Sequence, residues 1–298
     1  MKGERLFRFI CALIILLTVI FCLMPFLLLV MVSISDESSV AAQGYSFWPK
    51  SFSLQAYTYL FRKTGTILRA YGITLFVTLA GTVVNVFMTM MFAYPLSRKD
   101  YPWRKAQMIF MMIPMMFSGG LVPTYLMYTQ AFHIRDTIWA LIIPNLLFNC
   151  FNVILLRTYY SGNIHESLLE SAQLDGAGEV KIYFRIVCPL SVPIIATISL
   201  FSGLSYWNDW TNGLYYIMNP RYYSLQVYLN RILSDIQFLN TDTSQASQML
   251  HQTMKNVTLP TTTVRMAIAM VSIIPLMIIF LSMQKYFTKG IAIGAVKG

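Results

Sequence analysis

The chain has 298 residues, of which 56% are hydrophobic and only 11% are charged. A soluble domain carries about twice that charged fraction, so this composition excludes a water-soluble globule. The formal net charge of +10 does not indicate a nucleic-acid-binding protein, because no basic run is interleaved with aromatic residues. Uncharged blocks of about 18 residues or more instead predict an all-α, multi-pass membrane protein.

The first uncharged block covers 9–34 and follows three basic residues in the short N-terminal segment 1–8. A cleaved signal peptide is the alternative interpretation, but its apolar core would hold only about 7–15 residues. We therefore predict that 9–34 is the first membrane span and that 1–8 lie in the cytoplasm.

Five further apolar blocks are predicted to cross the membrane, at 70–97, 106–132, 137–157, 190–214 and 265–285. The segments around them are predicted as two extracytoplasmic loops at 35–69 and 215–264, a cytoplasmic hairpin at 158–189 and a cytoplasmic tail at 286–298. Six spans place both termini on one side, and 13 of the 22 Lys and Arg residues fall in cytoplasmic segments, including the short loop at 98–105, or at the cytoplasmic ends of spans. This bias agrees with the positive-inside rule.

The second and third predicted spans each contain residues that are unusual in a membrane helix. The second span carries one polar face, formed by Thr74, Thr78, Thr82 and Asn85. Such a face lines a polar pathway or hydrogen-bonds within the helix bundle. In the third span, the run Ser118-Gly119-Gly120 is expected to weaken or kink the helix.

The fourth span carries three amides. Asn145, Asn149 and Asn152 follow at i, i+4 and i+7, which predicts one face of one helix. Amides facing lipid would be costly, so this face is expected to contact another helix or a water-filled cavity.

At the end of the fifth span, Tyr206, Trp207 and Asn208 crowd together. This group is typical of an aromatic belt at the outer membrane interface. It is equally suited to a lip whose rings and amide contact a sugar.

The hairpin at 158–189 is a charged segment between two apolar blocks, and it is predicted as helix, sharp break, helix. Asn163 is predicted to cap the first helix. Gly176 and Gly178 are predicted to end it, because glycine takes the left-handed conformation without steric cost. Helical spacing predicts one apolar face, formed by Leu168, Leu169, Ala172 and Leu174.

The centres of the spans lack Asp, Glu, Lys, Arg and His. Ion-coupled transporters generally need such a residue, or a broken helix, at the midplane. The sequence also lacks the GxxxxGK[ST] phosphate loop. These features indicate a transport pathway without its own motor, and the cytoplasmic hairpin is the natural place for an external one to attach.

The hairpin resembles the EAA loop of binding-protein-dependent ABC importer permeases, in the residues Glu170-Ser171-Ala172, Asp175-Gly176-Ala177, Ile186, Pro189 and Leu190. The resemblance implies the type I ABC importer permease fold, in which the first helix of this loop docks in a groove of an ATPase subunit. It implies a salt bridge from Glu170 to that subunit and a turn at Gly176. The coupling residues that it implies are Glu170, Ala172, Asp175, Gly176, Ala177 and Pro189.

Other parts of the chain resemble one branch of these permeases. The blocks GGLVPTYL, TIWALIIPNL, YWNDW and YSLQVYLNRIL are similar to the oligosaccharide branch of the aldouronate type. The tail GIAIGAVKG is similar to that of the maltose importer's second permease subunit, whose tail reaches into the ATPase dimer. This similarity implies a second ATPase contact at Gly294, Ala295, Val296, Lys297 and Gly298.

The resemblance implies a permease subunit of an ATP-driven oligosaccharide importer in the bacterial cytoplasmic (inner or plasma) membrane. The expected partners are a second homologous permease, two ABC ATPase subunits that hold ATP and Mg, an extracytoplasmic solute-binding protein and membrane lipid. The chain itself is expected to bind no cofactor, metal or nucleic acid and to have no ATPase site. Substrate-pathway residues are expected at Asn145, Asn149, Asn152, Tyr206, Trp207 and Asn208.

Three alternatives stay open at this point. The chain could serve an importer for a non-sugar solute, act as a self-contained secondary transporter, or be a membrane receptor or scaffold whose hairpin binds a partner without coupling. The secondary transporter is disfavoured because the spans lack charges at their centres.

Overall fold

The computed structural model describes residues 2–61, 64–241 and 262–295, and these residues are mainly helical. Among them, β pairing is limited to an isolated antiparallel bridge between Ser35 and Phe52. The helices of the first half, numbered along the chain, are α1 (Lys2–Ser33), α2 (Glu37–Gln43), α3 (Gln55–Phe61), α4 (Thr64–Ser97), α5 (Arg104–Met116), α6 (Leu121–Leu126, with a π-helical turn at Met127–Ala131) and α7 (Trp139–Ile142). Those of the second half are α8 (Cys150–Asn163), α9 (Glu166–Leu174), α10 (Glu179–Ile182, with a π-helical turn at Tyr183–Val187), α11 (Cys188–Leu190), α12 (Val192–Trp207), α13 (Thr211–Tyr216), α14 (Leu225–Thr241) and α15 (Thr262–Ala295).

Three helices of the described chain are long and apolar enough to cross a membrane: Arg5–Ser33, Gly65–Ser97 and Thr262–Ser282. Two further candidates are helix pairs bent at a break, Arg104–Met116 with Leu121–Ala131 at 111° and Glu179–Leu190 with Val192–Trp207 at 79°. The first bend lies where the sequence predicts a weak helix, since Gly120 adopts a φ of 81° just before α6. The run predicted over 106–132 is therefore a broken helix.

The predicted fourth span is not one helix either. α7 and α8 are separated by an irregular segment at 143–149. Within it, Pro144 cannot donate a backbone hydrogen bond, and Asn145 takes a left-handed conformation with a φ of 61°. The prediction that Asn145, Asn149 and Asn152 share one face of one helix is therefore wrong.

The predicted fifth span, 190–214, is also divided. α12 ends at Trp207. The carboxylate of Asp209 then accepts hydrogen bonds from the backbone N–H groups of Thr211 and Asn212, at 3.1 and 3.2 Å. A carboxylate in this position satisfies donors that a helix start leaves unpaired, so α13 begins here as a separate helix.

The chain divides into two compact units, Met1–Ile67 with Leu229–Pro275 and Leu68–Tyr228 with Leu276–Gly298. In the first unit, the Glu37 carboxylate accepts hydrogen bonds from the backbone N–H groups of Thr262 and Thr263, at 2.9 and 2.8 Å. These contacts satisfy donors at the start of α15 and place a negative charge at its positive end.

The helix α15 is longer than the span predicted at 265–285. It continues to Ala295, so the predicted cytoplasmic tail at 286–298 is helical over most of its length. A helix of 34 residues exceeds the roughly 20 that cross a bilayer core.

Two buried apolar clusters lie among the described residues of the second unit. One joins α4, α8, α9 and α10 and includes Leu156 and Ile182. The other surrounds α7 and α13 and includes Tyr216. Beside this second cluster α4 and α12 approach closely, because a Cβ on Gly81 would lie only 2.4 Å from the ring of Tyr206. The close approach brings the polar residues of the two helices into contact.

Candidate functional site

The hairpin predicted at 158–189 is present as α9, a tight turn and α10. α9 begins at Glu166, and His165 precedes it without a side-chain cap. The predicted cap by Asn163 is wrong, because Asn163 is the last residue of α8 and its amide donates to the Tyr159 carbonyl at 3.2 Å. The negative charge of Glu166 in the first turn still favours the helix start.

The turn after α9 has a defined C-terminal capping geometry. The backbone N–H of Ala177 donates to the Ala172 carbonyl at 3.0 Å, and that of Gly176 donates to the Gln173 carbonyl at 2.9 Å. These two bonds form a Schellman motif, which requires a left-handed residue that Gly176 supplies with a φ of 78°. Ala172 and Ala177 also pack in the same apolar cluster. The motif therefore explains the spacing of the two alanines and the glycine.

Gly178 has a different role from Gly176. It precedes α10 with a φ of −70° and a ψ of 159°, which any residue adopts. Only the first of the two predicted glycines therefore ends the helix through left-handed backbone.

The apolar residues of α9 lie on two sides of the helix. Leu169 and Ala172 are buried against the rest of the second unit, whereas Leu168 is exposed and Leu174 is 89% exposed. The prediction of one apolar face is therefore wrong. Glu170 lies one turn before Leu174 on the outward side and is also exposed. An acid beside an exposed leucine suits contact with another protein.

Other exposed residues follow α9 in the hairpin. Asp175 follows Leu174 at the end of the helix and is exposed, and so are Val180 in α10 and Pro189 in α11. Of the six coupling residues predicted from the resemblance, Glu170, Asp175, Gly176 and Pro189 are thus accessible. The other two, both alanines, face the chain's own core.

Side chains also fasten the hairpin to the end of α4. Lys99, just after that helix, forms a 2.7 Å ion pair with Glu166 at the start of α9. On α8, Arg157 donates to the Leu96 carbonyl at 3.3 Å and Ser161 to the Ser97 carbonyl at 3.4 Å. These contacts were not predicted from the sequence. The signal that could have indicated them is the pair of basic residues after the second predicted span, together with the acidic residue at the start of the first hairpin helix.

The predicted pathway residues surround the break between α7 and α8. Three side chains donate to backbone carbonyls of that break: Tyr206 to Ile142 at 2.9 Å, Asn212 to Pro144 at 2.9 Å, and Asn85 to Leu146 at 2.7 Å. In a bilayer, irregular backbone is tolerated only where it is buried in protein or lines a water-filled cavity. Tyr206 therefore supports the broken helix, together with two amides that the predicted set omitted.

A buried polar chain continues from this point. Ser202 on α12 donates to the Asn85 amide oxygen at 2.7 Å, and Asn152 on α8 donates to the Ser202 hydroxyl at 3.4 Å. All three side chains are buried. Of the two interpretations of Asn152, contact between helices fits this arrangement better than lining of a cavity.

The six predicted pathway residues do not form one surface. Asn152, Tyr206 and Trp207 are buried, whereas Asn145, Asn149 and Asn208 are exposed. The Asn149 amide oxygen caps α8 by accepting from the backbone N–H groups of Phe151 and Asn152, at 2.9 and 3.3 Å. Asn208 donates to its own helix, at the Leu204 carbonyl.

The predicted second ATPase contact lies at the end of the chain. Gly294 and Ala295 are the last residues of α15. Val296, Lys297 and Gly298 lie outside the described residues.

Comparison with known proteins places the chain among transport proteins. A family described as the inner membrane component of binding-protein-dependent transport systems matches residues 85–293. Protein LplC of Bacillus subtilis is 36% identical over 278 residues, which cover 93% of this chain and 90% of that protein. The polygalacturonan/rhamnogalacturonan transport system permease protein YtcP of the same organism is 35% identical over 295 residues, or 99% of both chains.

A solved structure is similar over nearly the whole fold. It is that of a bacterial ABC transporter involved in the import of the acidic polysaccharide alginate. The matched chain superimposes with a TM-score of 0.78 at 27% identity, covering 96% of this chain and 98% of that one. The fold is thus that of a type I ABC importer permease, and the match from residue 85 to 293 includes the hairpin, its contacts with α4 and the polar chain around the broken helix. This protein therefore belongs to the family of binding-protein-dependent transport system inner membrane components, the permease subunits of ABC importers.

Proposed function

We propose that this permease moves an oligosaccharide into a bacterial cell, driven by ATP hydrolysis on partner subunits. The observation that carries the proposal is the outward face of the hairpin, where Glu170 and Leu174 lie exposed beside the Schellman turn at Gly176. A rigid turn that presents an acid and a leucine suits docking to an ATPase, which would hold the ATP and Mg. Glu170, Asp175, Gly176 and Pro189 would meet that subunit, while Ala172 and Ala177 hold the turn.

The proposed arrangement has six spans in the cytoplasmic membrane, with both termini in the cytoplasm. The long helices and bent pairs supply up to five spans. The sixth would be α7, the irregular segment and α8 together, since the side chains around the break satisfy its backbone carbonyls. The basic bias of 13 Lys and Arg residues against nine supports the cytoplasmic side for the hairpin.

Transport would follow by a shift between two conformations. When ATP closes the ATPase pair, the docked hairpins move and tilt the spans from an inward-open to an outward-open arrangement. A solute-binding protein outside then releases its sugar to the pathway between this chain and a second, homologous permease. ATP hydrolysis resets the inward-open state.

The substrate class rests on the relatives, whose names record transport of polygalacturonan or rhamnogalacturonan and import of alginate. For this chain we propose an oligosaccharide, with Asn145, Asn149 and Asn208 as the accessible pathway candidates. Asn152, Tyr206 and Trp207 would shape the walls behind them. The tail from Gly294 to Gly298 is proposed to reach the ATPase pair.

The proposal is tested by reconstituting the chain with its partner permease and ATPase subunits in proteoliposomes, together with its binding protein. Uptake is measured with galacturonate oligosaccharides and with neutral raffinose as separate substrates. We expect uptake of one of these classes that requires both ATP and the binding protein. Uptake driven by an ion gradient without ATP would identify a secondary transporter, and uptake of neither sugar class would overturn the oligosaccharide proposal.

A further inference from the structure

We propose that Glu179 is a positioning residue that transmits the hairpin's movement to α4, a helix that the chain does not connect directly to the hairpin. The inference rests on the proposed ATP-driven transport.

One carboxylate joins three helices at this position. Glu179, the first residue of α10, accepts a hydrogen bond from the Tyr94 hydroxyl on α4 and another from the Gln173 amide on α9, both at 2.7 Å. The guanidinium of Arg98, just beyond the end of α4, lies 3.8 Å from the same carboxylate. Charged acceptors form stronger hydrogen bonds than neutral ones. Glu179, which belongs to α10, thus bonds to the other hairpin helix, α9, and to α4.

The residue after Arg98 makes a similar contact with the other hairpin helix. Lys99 pairs with Glu166 at 2.7 Å, so consecutive cations at the end of α4 meet the first residue of each hairpin helix. Both acids stand at helix N-termini, where a negative charge is favourable even before a partner binds. The two contacts together hold α9 and α10 against one end of α4.

These contacts matter for geometry more than for stability. The side chains of Lys99, Glu166 and Glu179 are 76%, 47% and 54% exposed, and exposed ion pairs stabilise a fold only slightly. The Arg98 side chain is only 14% exposed, but it has a second partner in Asp100. Loss of the Glu179 carboxylate should therefore leave the hairpin folded on its buried residues, Leu169 and Ala172. What it would remove is the charged contact between α10 and α4, while the buried apolar cluster and the Lys99–Glu166 pair still join the hairpin to that helix.

The connection leads from the hairpin to the broken helix. From Tyr94 to Asn85 is nine residues of continuous helix, or about 13 Å. Asn85 contacts Ser202 on α12 and the Leu146 carbonyl in the break. A movement of the hairpin at Glu179 would therefore be transmitted along α4 to the irregular segment between α7 and α8. This route is additional to the covalent connections of the hairpin through α8 and α12.

The test compares Glu179→Gln with Asp100→Asn in the reconstituted complex. Asp100 also pairs with Arg98, at 3.5 Å, so both variants remove one negative charge beside the same guanidinium. Uptake and ATP hydrolysis are measured in the same vesicles. We expect Glu179→Gln to lower the sugar imported per ATP hydrolysed by about fivefold, a typical effect for a residue that carries coupling without touching a ligand. Asp100→Asn should leave this ratio unchanged.

A charge exchange adds a rescue. Lys99→Glu alone should lower the ratio of uptake to hydrolysis, and Lys99→Glu combined with Glu166→Lys should restore it. The amount of assembled complex should stay at the wild-type level in both variants, whereas a structural defect would lower it. If the wild-type complex shows no ATP-driven uptake, the proposed function itself fails. If wild type transports and Glu179→Gln matches it, or if Glu179→Gln no longer co-purifies with the ATPase, Glu179 is not a positioning residue for coupling.

Discussion

Ser202 donates its hydroxyl proton to the amide oxygen of Asn85 at 2.7 Å, and this buried bond joins α12 to α4. The same asparagine uses its amide nitrogen to bind the carbonyls of Leu146 and Leu147, at 2.7 and 3.2 Å. One side chain therefore fixes two long helices and the irregular segment at once. Polar residues inside this bundle hold the break in place.

Replacing Ser202 by alanine should destabilise the protein, because Asn85 and Asn152 both lose a partner in a buried site. Hydrogen bonds between membrane helices contribute about 1 kcal/mol, so the thermal unfolding midpoint of the purified complex should fall. Ser205→Ala is the matched control, since Ser205 is exposed and its hydroxyl donates to the Phe201 carbonyl of its own helix. Equal midpoints for the two variants would show that the buried chain contributes nothing.

Gly81→Ala should be more damaging than Gly72→Ala, although both glycines lie in α4. A Cβ at position 81 would lie 2.4 to 2.7 Å from the ring of Tyr206, whereas one at position 72 would meet nothing within 4 Å. Overpacking of this kind costs about 1–3 kcal/mol, and alanine in an open helical position is neutral or stabilising. The amount of folded, ATPase-associated complex recovered in detergent measures both effects. Full recovery of Gly81→Ala would contradict the close approach of α4 and α12.

The hairpin turn offers a second pair of glycines. Gly176→Ala places a side chain at a φ of 78° and should cost about 1–2 kcal/mol locally, with reduced uptake. Gly178→Ala should transport normally, because its φ of −70° suits any residue and nothing lies near its Cβ. Gly176→Pro should abolish uptake, since it also removes the N–H that bonds the Gln173 carbonyl. Normal transport by Gly176→Pro would rule out a coupling role for this turn.

Glu170→Ala should abolish ATP-driven uptake while the protein still inserts and folds, because Glu170 is exposed and away from the core. Ser171→Ala changes the neighbouring exposed residue and should have no effect, since the Ser171 hydroxyl donates to the Ser167 carbonyl of its own helix. Uptake and membrane insertion are measured side by side. Unchanged uptake in Glu170→Ala would remove the docking role from this acid.

Two substitutions of Asn149 distinguish whether this residue caps α8 or contacts the sugar. As a helix cap, Asn149→Ser should behave like wild type, whereas Asn149→Ala should lose about 1 kcal/mol of stability. As a sugar contact, both substitutions should raise the KM for uptake while stability stays the same for Asn149→Ser. The KM and the unfolding midpoint of the two variants therefore separate the roles.

The turn of the hairpin could be predicted because its conformation depends on residues that are close together in the sequence. The left-handed turn at Gly176 and the weak helix at Gly120 depend on a few neighbouring residues, and both predictions are confirmed. The two sides of α9 were not predictable in this way, because spacing alone does not say which apolar residues the chain itself covers. Leu169 is buried and Leu168 is exposed on adjacent positions.

The break between α7 and α8 was missed for a different reason. The block TIWALIIPNLLF is uncharged and, apart from Thr137 and Asn145, apolar, and a single proline or asparagine does not by itself exclude a span. What stabilises the break comes from residues more than 60 positions away, Asn85, Tyr206 and Asn212. Periodicity identifies a face of a helix and carries no information about such distant partners.

The bond between Glu37 and the start of α15 also sets an order of assembly. Thr262 follows Glu37 by 225 residues, and a ribosome adds about 5–20 residues each second. About 10 to 45 seconds therefore pass between the synthesis of Glu37 and the synthesis of Thr262. Until then, the first loop has no helix to cap, and the first unit can be completed only when synthesis of the chain is nearly finished.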